Sequence, residues 1–125
     1  MDHNQISGQI VDAAMKVHST LGPGLLESAY QACLVYELRQ RHLQVDSQLD
    51  LPINYGGVKL DAGYRIDLLV EKCVVVELKA VEKLLPIHEA QLLCYLRLSR
   101  CRLGLLINFN VLQLKDGIKR MANNL

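Results

Sequence analysis

The sequence contains no tryptophan and a single phenylalanine. That excludes a core built on many large rings and leaves an aliphatic one. Proline is scarce, with three residues, and there is no low-complexity tract, so neither a Pro-rich spacer nor a disordered segment is expected. No apolar run approaches the length of a membrane span. The opening residues Met1-Asp2-His3-Asn4 are polar and lack the apolar stretch of a secretory signal. The four cysteines, Cys33, Cys73, Cys94 and Cys101, form no C-x-x-C pair, and no histidine stands at zinc-finger spacing from them. This argues against a thiolate metal centre and for reduced, mostly core-filling thiols in a cytoplasmic protein. An excess of charge is missing too: 14 Lys+Arg face 13 Asp+Glu, for a net charge of +1. The chain-wide basic character common among nucleic-acid binders is therefore absent, although a local basic strip beside an acidic centre is compatible with this balance.

What is present is enough apolar material for a core. Half of the 125 residues are hydrophobic, and a chain of this length fits one domain spanning residues 1–125. Asp2 and Gln5 have the spacing of a capping box. Ile6, Ile10, Val11, Ala14, Val17 and Leu21 follow at helical intervals. Gly22-Pro23-Gly24 ends that helix. A second helix is expected from about Leu26 to His42, with Tyr30, Cys33, Leu34 and Leu38 as its apolar positions.

The period then changes to two. Val45, Leu49, Leu51, Ile53 and Tyr55 alternate with polar residues, as in a half-buried strand. Gly56-Gly57 predicts a hairpin turn. Val58, Leu60, Ala62, Tyr64, Ile66 and Leu68 share one face of the next strand, with Asp67 and Arg65 on the other. After Glu71-Lys72, the β-branched run through Val74, Val75 and Val76 suits a central strand covered on both faces. A helix follows with Pro86 in its first turn and Ala90, Leu93, Cys94 and Leu96 as apolar residues. Leu103 to Ile107 is another buried strand, and Leu112 to Met121 holds a turn at Asp116-Gly117 and a short final strand. The order is α-α-β-β-β-α-β plus that last strand. This is an α/β pattern that places a mixed sheet between helices.

The chemistry concentrates at the end of the valine run. Alternation puts Val75, Glu77 and Lys79 on one face. A carboxylate and an ammonium ending such a run lose solvent, so each needs a partner or a ligand. Nine residues separate Asp67 from Glu77, which allows a hairpin that sets the two carboxylates side by side. Held together they repel unless one is protonated or a cation intervenes, and a hard divalent cation suits oxygen donors. Alone, the D…E-x-K pattern also describes a salt-bridged strand end. Arg97, Arg100, Arg102, Lys119 and Arg120 read either as a phosphate-tracking strip or as solvated surface. Tyr30, one turn after Glu27, reads equally as a core or a functional residue.

Several motifs coincide. Gly24-Leu25-Leu26-Glu27-Ser28-Ala29-Tyr30 matches G-x-x-E-x-x-Y. It is followed by Tyr64-Arg65-Ile66-Asp67, by Val75-Val76-Glu77-Leu78-Lys79, and by Gln91 and Tyr95 in Q-x-x-x-Y spacing. With these the chain resembles the GxxExxY family of the PD-(D/E)XK nuclease superfamily, and Gln91 with Tyr95 looks like the corresponding motif of RecB-type nucleases. The resemblance runs from the first helix through Asn108. It implies a restriction-endonuclease-like fold and a set of roles. Glu27 would be a helix carboxylate facing the metal. Asp67 and Glu77 would be ligands of Mg²⁺ (or Mn²⁺), together with the Leu78 carbonyl. Lys79 would orient the attacking water or stabilise charge at the phosphate. Gln91 and Tyr95 would contact the phosphate or hold Lys79.

The implied activity is hydrolysis of DNA or RNA phosphodiesters, with a second subunit or partner protein to help a chain this small grip nucleic acid. The alternative is a catalytically silent nuclease-fold module that acts through nucleic-acid or protein binding.

Overall fold

The computed structural model describes residues 1–123. Helix α1 spans His3–Leu21. It opens on the expected capping box, with the Asp2 carboxylate accepting from the Gln5 amide and the Gln5 side chain accepting from the Asp2 amide. It closes at Gly22, whose φ of 69° falls in the left-handed region that favours glycine. Helix α2 is Glu27–Gln40. Strands β1 (Val45–Asp50), β2 (Ile53–Tyr55), β3 (Val58–Leu60), β4 (Arg65–Val70) and β5 (Val74–Lys79) follow. Then come α3 (Pro86–Ser99), β6 (Leu103–Asn108), a 3₁₀ turn at Leu114–Gly117 and β7 (Ile118–Ala122). Among the described residues no helix is long and apolar enough to cross a membrane.

Five strands form one sheet in the order β1-β4-β5-β6-β7, with β5 and β6 parallel and the other pairs antiparallel. The parallel pair is joined through α3, the crossover such a pair requires. β5 and β6 are the central strands and are buried along nearly all their length. On one sheet face Val74, Val76, Leu78, Leu103, Leu105 and Ile107 pack with α1 and α2. On the other, Val75 and Leu106 pack with Leu92, Tyr95 and Leu96 of α3. The result is the mixed sheet between helices expected from the sequence.

Three details differ from the sequence reading. Each of the two long alternating segments is broken, so five strands rather than three precede α3. Pro52 cannot donate to a ladder, and Asp61-Ala62-Gly63 folds into a tight turn in which the Asp61 side chain accepts from the Gly63 amide. The β2–β3 hairpin therefore stands off the sheet as an arm, with its Gly56-Gly57 turn in left-handed backbone. Tyr55, Val58 and Leu60 on it are exposed instead of half-buried. The expected shared face also breaks: Ile66 packs on the α3 side and Leu68 on the α1–α2 side. The register of β1 and β4 skips the pair Gln48 and Asp67, and Gln48 has a φ of 52°. This local distortion is what turns Ile66 over. On α3, Leu92 and Tyr95 are buried where Ala90 and Cys94 are exposed, because a helix apolar on several sides gives no single stripe to read.

Helix α3 sits close on β6 at Gly104, where an added Cβ would lie 2.9 Å from a Leu92 methyl and 3.1 Å from a Leu96 methyl. Gly104→Val overpacks this contact. It is expected to lower stability by about 1–3 kcal/mol, read as a fall in the urea midpoint at unchanged slope. An unchanged midpoint would show that α3 is free to shift.

Candidate active site where two strands part

The β4–β5 hairpin turns through the three residues Glu71-Lys72-Cys73, with positive φ at Glu71 and Lys72 and the Cys73 amide donating to the Val70 carbonyl at 3.1 Å. Its ladder runs Val70↔Val74, Leu69↔Val75 and Leu68↔Val76, and there it stops. The next two residues, Asp67 and Glu77, hold the strands together with side chains. The Asp67 amide donates to Glu77 Oε2 at 2.7 Å, and the Leu78 amide donates to Asp67 Oδ2 at 2.8 Å. Each carboxylate thus takes an amide of the opposite strand in place of a ladder bond, and each keeps a second oxygen. Asp67 Oδ1 is approached by Gln48 Nε2 at 3.4 Å.

Burial makes this pair electrostatically tense. Glu77 is only 4% exposed. Burial first, and then the neighbouring Asp67 charge, push its carboxyl up to about 8 against the downward pull of the Asp67 amide and Lys79. Glu27, half-buried at the first position of α2, is also raised, by burial and by Asp67, while Lys79 lowers it. Tyr95 is raised by burial and next by Glu77. Glu27, Asp67, Glu77, Lys79 and Tyr95 therefore share one field. Gln91 joins them by lining the same cleft as Lys79 and Tyr95. At Leu78 it is the amide that touches Asp67, and the side chain is buried in the core. Among the described residues Lys79 forms no ion pair.

The donor set fits a hard cation by its chemistry: three carboxylates, one of them buried, with a single ammonium to offset them. As the side chains stand, no three His, Cys, Asp or Glu residues among those described surround one point closely enough to cage an ion. The fixed pair is Asp67 with Glu77, and Glu27 forms no ion pair among the described residues.

Three further groups position the site, and two of them, Asn108 and Gln31, were not anticipated. Asn108, 1% exposed, accepts from the Val81 and Asn110 amides through Oδ1 and donates to the Val81 carbonyl, tying down the chain that leaves Lys79. The visible signal was a lone polar residue closing an otherwise apolar strand. Tyr30 resolves to a core residue with a polar task. Its ring stacks on Phe109 with centroids 4.6 Å apart, and its hydroxyl donates to the Gly22 carbonyl and accepts from the Leu25 amide. That clamps the loop delivering Glu27. Gln31 accepts from Gln48 at 2.9 Å and so links α2 to the Asp67 neighbourhood; nothing in its sequence context marked it. The basic strip is split, with Lys119 of β7 level with Glu77 through Leu106 and its arginines Arg100 and Arg102 elsewhere. Val74 pairs with Leu103 and Lys79 with Asn108, so Arg100 and Arg102 lie at the far end of the sheet.

Because the Glu77 carboxyl in the folded protein sits above its ordinary value of 4.5, the fold holds a proton that the unfolded chain releases between those two values. The stability this proton confers is full below 4.5 and is lost as pH rises toward 8. In chelator-treated protein the melting temperature should fall from pH 5 to pH 8. Glu77→Gln should flatten that fall and melt higher than wild type at pH 8. Parallel curves for the two proteins would contradict the burial argument.

A family model for the PD-(D/E)XK nuclease superfamily matches residues 4–121, a stretch that takes in every residue of the site. No curated protein and no solved structure gives a match. With a restriction-endonuclease-like sheet, acids at the parting of β4 and β5, and a match over nearly its whole length, the chain belongs to the PD-(D/E)XK nuclease superfamily.

Proposed function

We propose that the protein is a divalent-cation-dependent nuclease that hydrolyses phosphodiester bonds, of the GxxExxY kind within its superfamily. The observation that carries this is the crossed pair Asp67 and Glu77, with Glu27 and Lys79 in the same field. Buried like charges are unfavourable for the fold alone, and they become useful once a cation binds between them. Asp67, Glu77 and Glu27 would hold Mg²⁺ or Mn²⁺, with the Leu78 carbonyl as a further donor. A cation there supplies an acidified water and offsets charge on the phosphoryl oxygens.

The remaining tasks belong to the chain. Lys79, on the same strand face as Glu77, brings a positive charge to the phosphate side of the site. Asn108 fixes the exit of β5 and so the reach of Lys79. Gln91 and Tyr95, one helical turn apart on α3, offer an amide and a hydroxyl to the substrate strand.

A catalytically silent module is the competing reading, favoured by one observation: Asp67 and Glu77 already have backbone partners and can serve as a structural clasp.

Two measurements separate the readings. Added Mg²⁺ or Mn²⁺ should raise the melting temperature of wild type in a concentration-dependent way, with the gain largely lost in Glu77→Gln. In cleavage assays on DNA and RNA, Glu77→Gln and Lys79→Ala should each lower the rate on the order of 100-fold or more while remaining folded. A wild type that neither responds to cation nor cuts would leave the silent module; equal cutting by all three proteins would expose a contaminant.

A further inference from the structure

The site opens into a cleft of about 560 Å³ whose lining suits something other than a phosphate. Lys79, Gln91 and Tyr95 line it from the acidic side. Ile53 and Tyr64 reach it from the two ends of the arm, and Ile87 from the first turn of α3. Most of this surface is apolar or aromatic. Tyr64 is 45% exposed, and its ring meets the buried Tyr95 edge-on at 6.2 Å. The Tyr64 carbonyl accepts from the Leu51 amide at 2.9 Å, so the ring is held at the neck of the arm on a fixed backbone.

Phosphates are gripped by cations and amides, and here the only cation lining the cleft beside the acids is Lys79. Arg100 and Arg102 lie at the other end of the sheet, and Arg65, at the fork end, is paired with Asp50 at 3.2 Å and does not line the cleft. In a duplex the faces of the bases are stacked inside the helix, so a duplex phosphate brought to Lys79 would leave this apolar wall against water. An unpaired nucleotide has free base faces, and an exposed aromatic ring is the usual platform for one.

We propose that this cleft seats an unpaired base next to the phosphate held at Lys79, with Tyr64 as the stacking residue, so that the substrate class is single-stranded nucleic acid. The cleft is continuous with the acidic site through Lys79, Gln91 and Tyr95, and that continuity commits it to the substrate strand. The inference deepens the nuclease reading and rests on it for the cutting step, but not for binding.

The test uses fluorescein-labelled oligothymidine, an abasic strand of the same length and a blunt duplex, with affinity read by anisotropy and cleavage followed in Mn²⁺. Wild type should bind the oligothymidine about tenfold or more tighter than the abasic strand. Tyr64→Leu, which keeps bulk at an exposed position, should remove most of that difference and raise KM for the single strand with little change in kcat. Equal affinity for the thymidine and abasic strands, an unaltered preference in Tyr64→Leu, or blunt duplex cut as well as single strand would each overturn the proposal. Base-dependent binding that is lost in Tyr64→Leu supports the cleft even if no strand is cut, a result that fails the nuclease reading alone. Efficient duplex cutting would keep the nuclease reading and remove the cleft.

Discussion

The structure depends on a substitution of side chain for backbone at one place. Two antiparallel strands part after Leu68 and Val76, and the crossed contacts of Asp67 and Glu77 with opposite amides bridge the fork. A parted sheet normally exposes orphan amides, and orphan amides without water are unfavourable. The carboxylates satisfy them, and in doing so they are fixed in orientation and drawn out of solvent. One arrangement explains the fork, the burial of Glu77, and the electrical tension that makes the spot fit for a cation.

Around the fork, the surrounding layers work as a frame. The stacked rings of Tyr30 and Phe109 join the loop before α2 to the chain after β6. The Phe109 amide donates to the Lys79 carbonyl, and Asn108 grips the following segment. Three elements distant in sequence, the loop before Glu27, the end of β5 and the end of β6, are thereby referred to one another through two aromatic rings and one amide. The single phenylalanine, Phe109, and one of the five tyrosines, Tyr30, thus serve positional accuracy. On the other sheet face α3 comes close enough at Gly104 for its methyls to fill the space of an absent side chain, which sets how near Gln91 and Tyr95 stand to the fork.

Much of this was legible beforehand. The capping box at Asp2, the break at Gly22, the valine run of β5 and the common face of Glu77 and Lys79 follow from periodicity and turn chemistry, and these are local. The hairpin that brings Asp67 to Glu77 is local as well. What escaped is non-local or lies within a pattern that kept its rhythm. The alternation through Tyr64 and Ile66 looks unbroken, yet the turn at Asp61–Gly63 and the distortion at Gln48 send Ile66 to the opposite layer. Apolar spacing registers a side chain's character and not the twist of the strand carrying it. Asn108 and Gln31 act through partners far along the chain, and a single polar residue announces no partner. The basic residues looked like one strip because they are near in sequence, whereas the parallel pairing of β5 with β6 puts Arg102 and Lys79 at opposite ends.

The hairpin origin of the acid pair also bears on how the molecule reaches its native state. Asp67 and Glu77 are close along the chain, so bringing them together closes a small loop at little entropic cost, and a solvated hairpin tolerates their charges. The seal on Glu77 comes from β6 and α3, which join by long-range parallel pairing, the slow kind of event in chain folding. The electrical penalty is thus deferred to the last stage of assembly. A cation seated between the two carboxylates would offset that penalty at the stage where the seal forms.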